Sequence, residues 1–169
     1  MNMSWTQETL NVIGSTLLDE FSDLSDIEQG TRITLRLVLA VLLGGLLGLE
    51  REQQGKEAGV RTHMLVSLGA ALFVLVPDIA GAMDDAMSRV IQGVVAGVGF
   101  LGAGTILKRN ANDEVKGLTT AAGIWLTAAI GVTIGLGHES TALLAAGMAF
   151  IILHLVPLLI KRMPASGDE

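Results

Sequence analysis

Between Arg89 and Lys108 the chain runs for eighteen residues, Val90 to Leu107, without a charge. That is about the length a helix needs to cross the hydrocarbon core of a bilayer. The run contains "GVVAGVGFLGAGTIL", where Gly97, Gly99 and Gly102 spell G-x-G-x-x-G, the phosphate turn of dinucleotide-binding folds. That turn needs a strand before it, a helix after it, and an acidic residue about 20 positions on for the ribose. Here the apolar run continues through the glycines, and the next acids, Asp113 and Glu114, come too early. The glycines read instead as packing residues of a membrane helix.

Composition points the same way. The 169 residues are 50% hydrophobic with a mean hydropathy of +0.57, and 17% are charged, against roughly 25% in soluble domains. A net charge of −6 argues against a nucleic-acid partner. With no cysteine there is no disulfide, thiolate metal site or cysteine nucleophile. The first thirty residues hold acids from Glu8 to Glu28 and neither Lys nor Arg, unlike a secretory signal.

Five apolar runs follow: Ile33 to Leu49 (interrupted by Arg36), Thr62 to Val76 (ended by Pro77), the glycine-rich run, Gly117 to Gly137, and Ser140 to Ile160. They predict an all-α polytopic bundle of about five transmembrane helices over residues 31–162. An acidic segment, 1–30, precedes it and a short tail, 163–169, follows. In the first segment Leu10, Ile13, Leu17, Phe21 and Leu24 recur at helical spacing, an amphipathic helix on or near the membrane surface, its apolar face resting on protein. Ser25 with Glu28 reads as a capping box. Basic residues gather in alternate connections: Arg51, Lys56 and Arg61, then Lys108, Arg109 and Lys116, then Lys161 and Arg162. Lys and Arg stay on the cytoplasmic side, so the amino terminus is expected outside and the carboxyl terminus inside. Arg32 and Arg36 run against that pattern.

Helices in lipid associate by close packing on small residues. Ala40, Gly44 and Gly48 form one small-residue ladder; Thr119, Gly123, Thr127, Gly131 and Gly135 form a longer one. In the third span Gly93, Gly97 and Gly104 share one face and Ala96, Gly99, Gly102 and Ala103 another, with Val94, Val98 and Leu101 between. Two grooves on one helix predict that it sits between neighbours.

The segments "GGLLGLERE", "GVRTHMLVSLGAALF", "GFLGAGTIL" and "VKGLTTAAGIWLTAAIG", in this order over Arg32 to Gly137, resemble the membrane domain of the MgtC/SapB family. The resemblance implies a bacterial inner-membrane protein of the short form, without the cytosolic domain many members carry. It further implies a part in adaptation to low Mg²⁺ or in virulence. One role so implied is a regulator that restrains the F-type ATP synthase; direct Mg²⁺ uptake is an older one.

The candidate interaction residues fall in four groups. Glu50, Arg51 and Glu52 end the first span and Arg61, Thr62 and His63 begin the second, across a hairpin holding Gly55 and Gly59. Glu50 and Arg61 are expected to pair there, either as a hairpin clasp or as a docking or ion-gating cluster. Gly117, Thr119 and Thr120 open the fourth span, where free N–H groups favour an anion, Glu50, or plain capping. Arg36, one turn inside the first span, needs an acidic partner from among Asp78, Asp84, Asp85 and Glu139, since a charge at the midplane costs about 2.5–3.5 kcal/mol. The third span and its surroundings supply Arg89, Gln92, Gly97, Gly99, Gly102, Gly104 and Trp125, with Gln92 set to reach a neighbour's backbone. His154 reads as a packing histidine or a proton relay. No nucleophile–base pair, metal-ligand spacing or cofactor motif stands out. The expected partners are the bilayer and either a membrane protein or a second copy. A regulator without catalysis and an ion transporter or channel, with Mg²⁺ the first ion to test, are the two readings.

Overall fold

The computed structural model describes residues 3–20, 22, 26–106 and 115–162. Its regular elements are all helices: α1 Met3–Glu20, α2 Ile27–Gln53, α3 Val60–Ile79, α4 Asp84–Gly104, α5 Leu118–Gly135 and α6 Glu139–Arg162. The last five are long and apolar enough to cross a membrane. The chain divides into two compact units, residues 1–35 and 36–169.

In the first unit, α1 leaves Leu10, Ile13 and Leu17 exposed; Phe21 and Leu24 lie outside the described residues. The cap of α2 is Asp26, whose Oδ1 accepts the Glu28 N–H at 3.1 Å. A carboxylate is a strong acceptor for the free N–H groups of a first turn. The expected partner Ser25 is outside the described residues, and the Glu28 carboxylate pairs with Arg32 one turn on.

In the second unit, α5 packs against α3, α4 and α6. Its small-residue ladder seats it on α3. A Cβ on Gly131 would run into the Ser67 carbonyl oxygen, and one on Gly135 would come within 2.5 Å of the Ala71 oxygen. α2 approaches α3 in the same manner: a Cβ on Gly44 would lie 2.6 Å from the His63 oxygen, and one on Gly48 2.6 Å from Val60 Cα. So two glycine-faced helices close on the buried face of α3. Larger side chains fill the rest: Leu43 and Leu47 of α2, Ile130 and Ile134 of α5, and Ala142, Ala146 and Ala149 of α6 form one cluster. A smaller cluster joins Ala70, Val98, Ile124 and Ala128.

Helix ends differ from the apolar runs where charge does not oppose a helix. α2 extends through Glu50–Gln53, because charges at a span's end reach water. α3 continues past Pro77, which in a last turn removes only one hydrogen bond. α4 begins early, with Asp84 and Asp85 favoured at the positive helix end. It stops at Gly104, where the Thr105 hydroxyl donates to the Gly102 oxygen at 2.8 Å. Gly117 starts α5 at φ +90°, its α-carbon hard against the Thr105 carbonyl, a place no other residue fits.

At Gly131 and Gly135 the α3–α5 seam should therefore tolerate nothing larger than glycine. Gly131→Leu and Gly135→Leu are each expected to destabilise by at least about 3 kcal/mol, the upper end of overpacking. Thermal unfolding in detergent checks this; wild-type melting of either variant would show that the helices are not this close.

Candidate functional site

The last turn of α2 and the first turn of α3 meet at one end of the bundle. Glu50 and Arg51 are both buried there, 5% and 2% exposed, and pair with each other. Gln54 also donates to Glu50. Glu52, exposed, turns to the connection and accepts the Val60 N–H at 2.9 Å, capping α3. The expected Glu50–Arg61 pair does not form: Glu50 is taken by its neighbour, and Arg61 and Thr62 are exposed. The inward positions of α3 are Val60, His63 and Ser67, and Arg61 stands about 200° from His63.

His63 is fully buried. Its Nδ1 lies 3.0 Å from the Gly59 oxygen. A carbonyl only accepts, so Nδ1 carries the hydrogen and Nε2 of the neutral ring is left as an acceptor. Nε2 faces α5 beside Gly123, where a Cβ would lie 3.6 Å away. One turn further along each helix come Ser67 and Thr127. His63 Nε2, Ser67 Oγ and Thr127 Oγ1 are all buried with no hydrogen-bond partner among the described residues. Thr133 shows the ordinary solution, donating to the Ala129 oxygen at 2.8 Å. Thr120 is buried near the start of α5, while Thr119 is exposed and Gly117 offers no side-chain cap. Ser67 and Thr127 were not among the candidates from sequence. The signal was there: His63 and Ser67 stand four apart on α3, opposite a ladder in which Thr127 is a polar member.

At the other end Arg36 is mostly buried. Its Nε donates to Glu139 at 3.3 Å, its Nη1 to the Gly135 oxygen at 3.1 Å, and Nη1 stands 3.6 Å from Asp78. Two of the four acids expected as partners are thus its partners. Gly137, at φ +81°, leaves the space that the guanidinium fills.

The expectation that both faces of α4 meet helices is corrected within this chain. Gly102 touches Ala121 of α5, but a Cβ on Gly93, Gly97, Gly99 or Gly104 would meet nothing within 4 Å. Gly93 and Gly97 instead floor an apolar groove of about 590 Å³ between α3 and α4, walled by Leu65, Phe73 and Leu101. Trp125, half-exposed, borders a smaller one between α4 and α5. Arg89 is exposed. Gln92 bonds Ser88 of its own helix at 3.3 Å and not a neighbour's backbone, since its side of α4 faces outward. His154 is exposed and stacks on Phe150, so it is no buried relay. Lys108 and Arg109 are outside the described residues.

The profile of the MgtC family matches residues 37–162. Protein SrpB of Synechococcus elongatus is 48% identical over 134 residues, which is 73% of this chain and 72% of SrpB. YhiD of Escherichia coli K12, named as a candidate magnesium transporter, is 43% identical over 76% of this chain and 62% of its own length. Protein MgtC of Salmonella choleraesuis is 41% identical over 79% and 58%. The chain thus spans about three fifths of the last two. No solved structure matches it.

Two substitutions separate structural from functional roles here. Arg36→Ala leaves two carboxylates without their cation and is expected to cost about 1–3 kcal/mol, the range for hydrogen bonds to charged groups. Equal melting temperatures in detergent would show that the clamp contributes nothing. Thr127→Val replaces an unpartnered hydroxyl by a methyl and should leave stability unchanged or raise it.

Proposed function

The chain belongs to the MgtC family, and from that premise we propose that it is a non-catalytic regulator of the bacterial inner membrane, acting by binding another membrane protein. The outward face of α4 carries this reading. At 100° per residue Gln92, Ala96, Gly99 and Ala103 fall on one side. All four are exposed. A helix in lipid gains little by hiding apolar surface but does gain by packing on small residues. Asp85 and Arg89 lie on the same side and would fix a partner's register. The F-type ATP synthase is the first partner to test, in low magnesium or during infection, as the resemblance implies. We infer an amino terminus outside and a carboxyl terminus in the cytoplasm, a reading supported by the basic residues Arg51, Lys56, Arg61 and Lys116 in alternate connections.

A second reading, ion transport with Mg²⁺ first, is favoured by the buried row of His63, Ser67 and Thr127. Ionisable and polar groups inside a membrane mark ion pathways in many proteins. The name of YhiD bears on this reading for that relative.

A photo-crosslinker at position 99 should capture a membrane protein in native membranes, and Ala96→Leu should abolish the capture while the chain stays folded. Liposomes holding pure protein should then show no Mg²⁺ flux; flux that Thr127→Val reduces would move the conclusion to the second reading. A cytoplasm-active reporter fused after Glu169 should work, and a periplasm-active one should not.

A further inference from the structure

We propose that a water molecule is held between His63 Nε2 and Gly123, donating a hydrogen bond to the ring, and that the buried row of His63, Ser67 and Thr127 takes water and not a metal ion. The site lies inside the α3–α5 seam, so its failure leaves the partner-binding reading untouched. It rests on the same residues as the ion-transport reading and gives them a different occupant.

The seam opens at this level. Further along, Gly131 and Gly135 press on α3 so closely that a Cβ would collide with the Ser67 and Ala71 oxygens. A Cβ on Gly123 would instead have one neighbour across the seam, His63 Nε2 at 3.6 Å, an ordinary contact. The room beside Nε2 therefore comes from the side chain that Gly123 lacks. Its surroundings are closed: His63, Ser67 and Thr127 are fully buried, and Thr120 and Ile124 are nearly so.

The chemistry of the site selects its occupant. Nε2 is an acceptor, because Nδ1 keeps its hydrogen for the Gly59 oxygen. The occupant must bring a donor, which excludes an anion without hydrogen. Mg²⁺ needs carboxylates or carbonyls and keeps several waters. Glu50, at the same end, is paired with Arg51, and among the described residues no group of three His, Cys, Asp or Glu could hold a metal ion. Water carries donors and acceptors alike. Thr127 stands one turn from Gly123 toward Gly131, and Ser67 one turn from His63, so their hydroxyls border the same stretch of seam. Each hydroxyl can donate or accept. Three buried polar atoms without partners among the described residues match the roughly three hydrogen bonds that a buried water makes, whereas cavities that stay dry are apolar.

Gly123→Ala gives the test its sign. Alanine is the better helix former and would fill a dry gap, so without the water this variant is at least as stable as wild type. With the water, the methyl takes its place and leaves Nε2 buried without a donor. The melting temperature of the full chain in detergent is then expected to fall by about 3 °C. Gly123→Ser brings its own hydroxyl donor and should recover it. In a His63→Leu background, which lacks the acceptor, Gly123→Ala should no longer lower the melting temperature. NMR of the chain in bilayers, with ¹⁵N-labelled histidine, reads the water directly, the His63 signal being the one lost in His63→Leu. Magnetisation should pass from water to the His63 ring in wild type and not in Gly123→Ala. It should still pass in Thr127→Val, which removes one of three partners and leaves Nε2. Added Mg²⁺ should leave the Nε2 signal in place. The proposal is overturned if Gly123→Ala melts at or above wild type, if no magnetisation reaches the ring from water, or if Mg²⁺ shifts the Nε2 signal, which would return the row to the ion-transport reading. It is equally overturned if Ser67→Ala, and not Gly123→Ala, removes the hydrogen bond at Nε2, since Ser67 would then be the donor.

Discussion

Everything in the bundle depends on how near the backbone of α3 lies to its two neighbours. Gly44 and Gly48 bring α2, and Gly131 and Gly135 bring α5, onto its buried face, with room for no side chain between. In water such contacts would be secondary to apolar burial. In lipid, dispersion contacts and hydrogen bonds must hold helices together, and both need short distances. This packing then fixes the rest. It buries His63 and Ser67, because both helices close on that face of α3. It places Gly135 where its carbonyl can receive Arg36. It leaves α4, which packs against the edge of α3 and α5, as the span with the least surface covered.

The G-x-G-x-x-G string takes its meaning from that arrangement. Gly97 looks into the α3–α4 groove, Gly99 looks outward, and Gly102 rests on Ala121. Three glycines in one short stretch serve three different surroundings, and the spacing that resembles a nucleotide turn is their overlay. A phosphate turn would need their N–H groups to converge on one point, whereas here those N–H groups are spent along a helix.

Much of the fold was legible because the sequence signals were local or periodic. The five spans follow from uninterrupted apolarity, and the ladders of α2 and α5 from small residues four apart. Arg36 had to find acids at its own depth, and Asp78 and Glu139 were within a short choice. What failed to read was competition. Glu50 had two candidate cations, and nothing in the spacing ranks Arg51, its sequence neighbour, above Arg61 across the hairpin. The choice is made by the rotation of α3, which turns Arg61 away once Val60, His63 and Ser67 face inward. The fate of α4 was illegible for a related reason. A groove of small residues is the same in sequence whether a helix of the chain, a partner or a lipid fills it, and only the placement of α3 and α5 shows which glycines stay open.

The two ends of the bundle solve the burial of charge differently. At the Arg36 end one cation meets two carboxylates and a carbonyl from α3, α5 and α6, so moving any of those helices breaks a charged contact. At the Glu50 end the charges answer each other within one turn of α2, and among the described residues the charged contact to α3 is the cap from Glu52. The close approach of Gly44 and Gly48 to His63 and Val60 holds that end together instead. The row of His63, Ser67 and Thr127, without hydrogen-bond partners among the described residues, begins immediately inside it. Burying such groups costs free energy, so the packing of backbone on backbone must offset that cost there without help from a charged clamp.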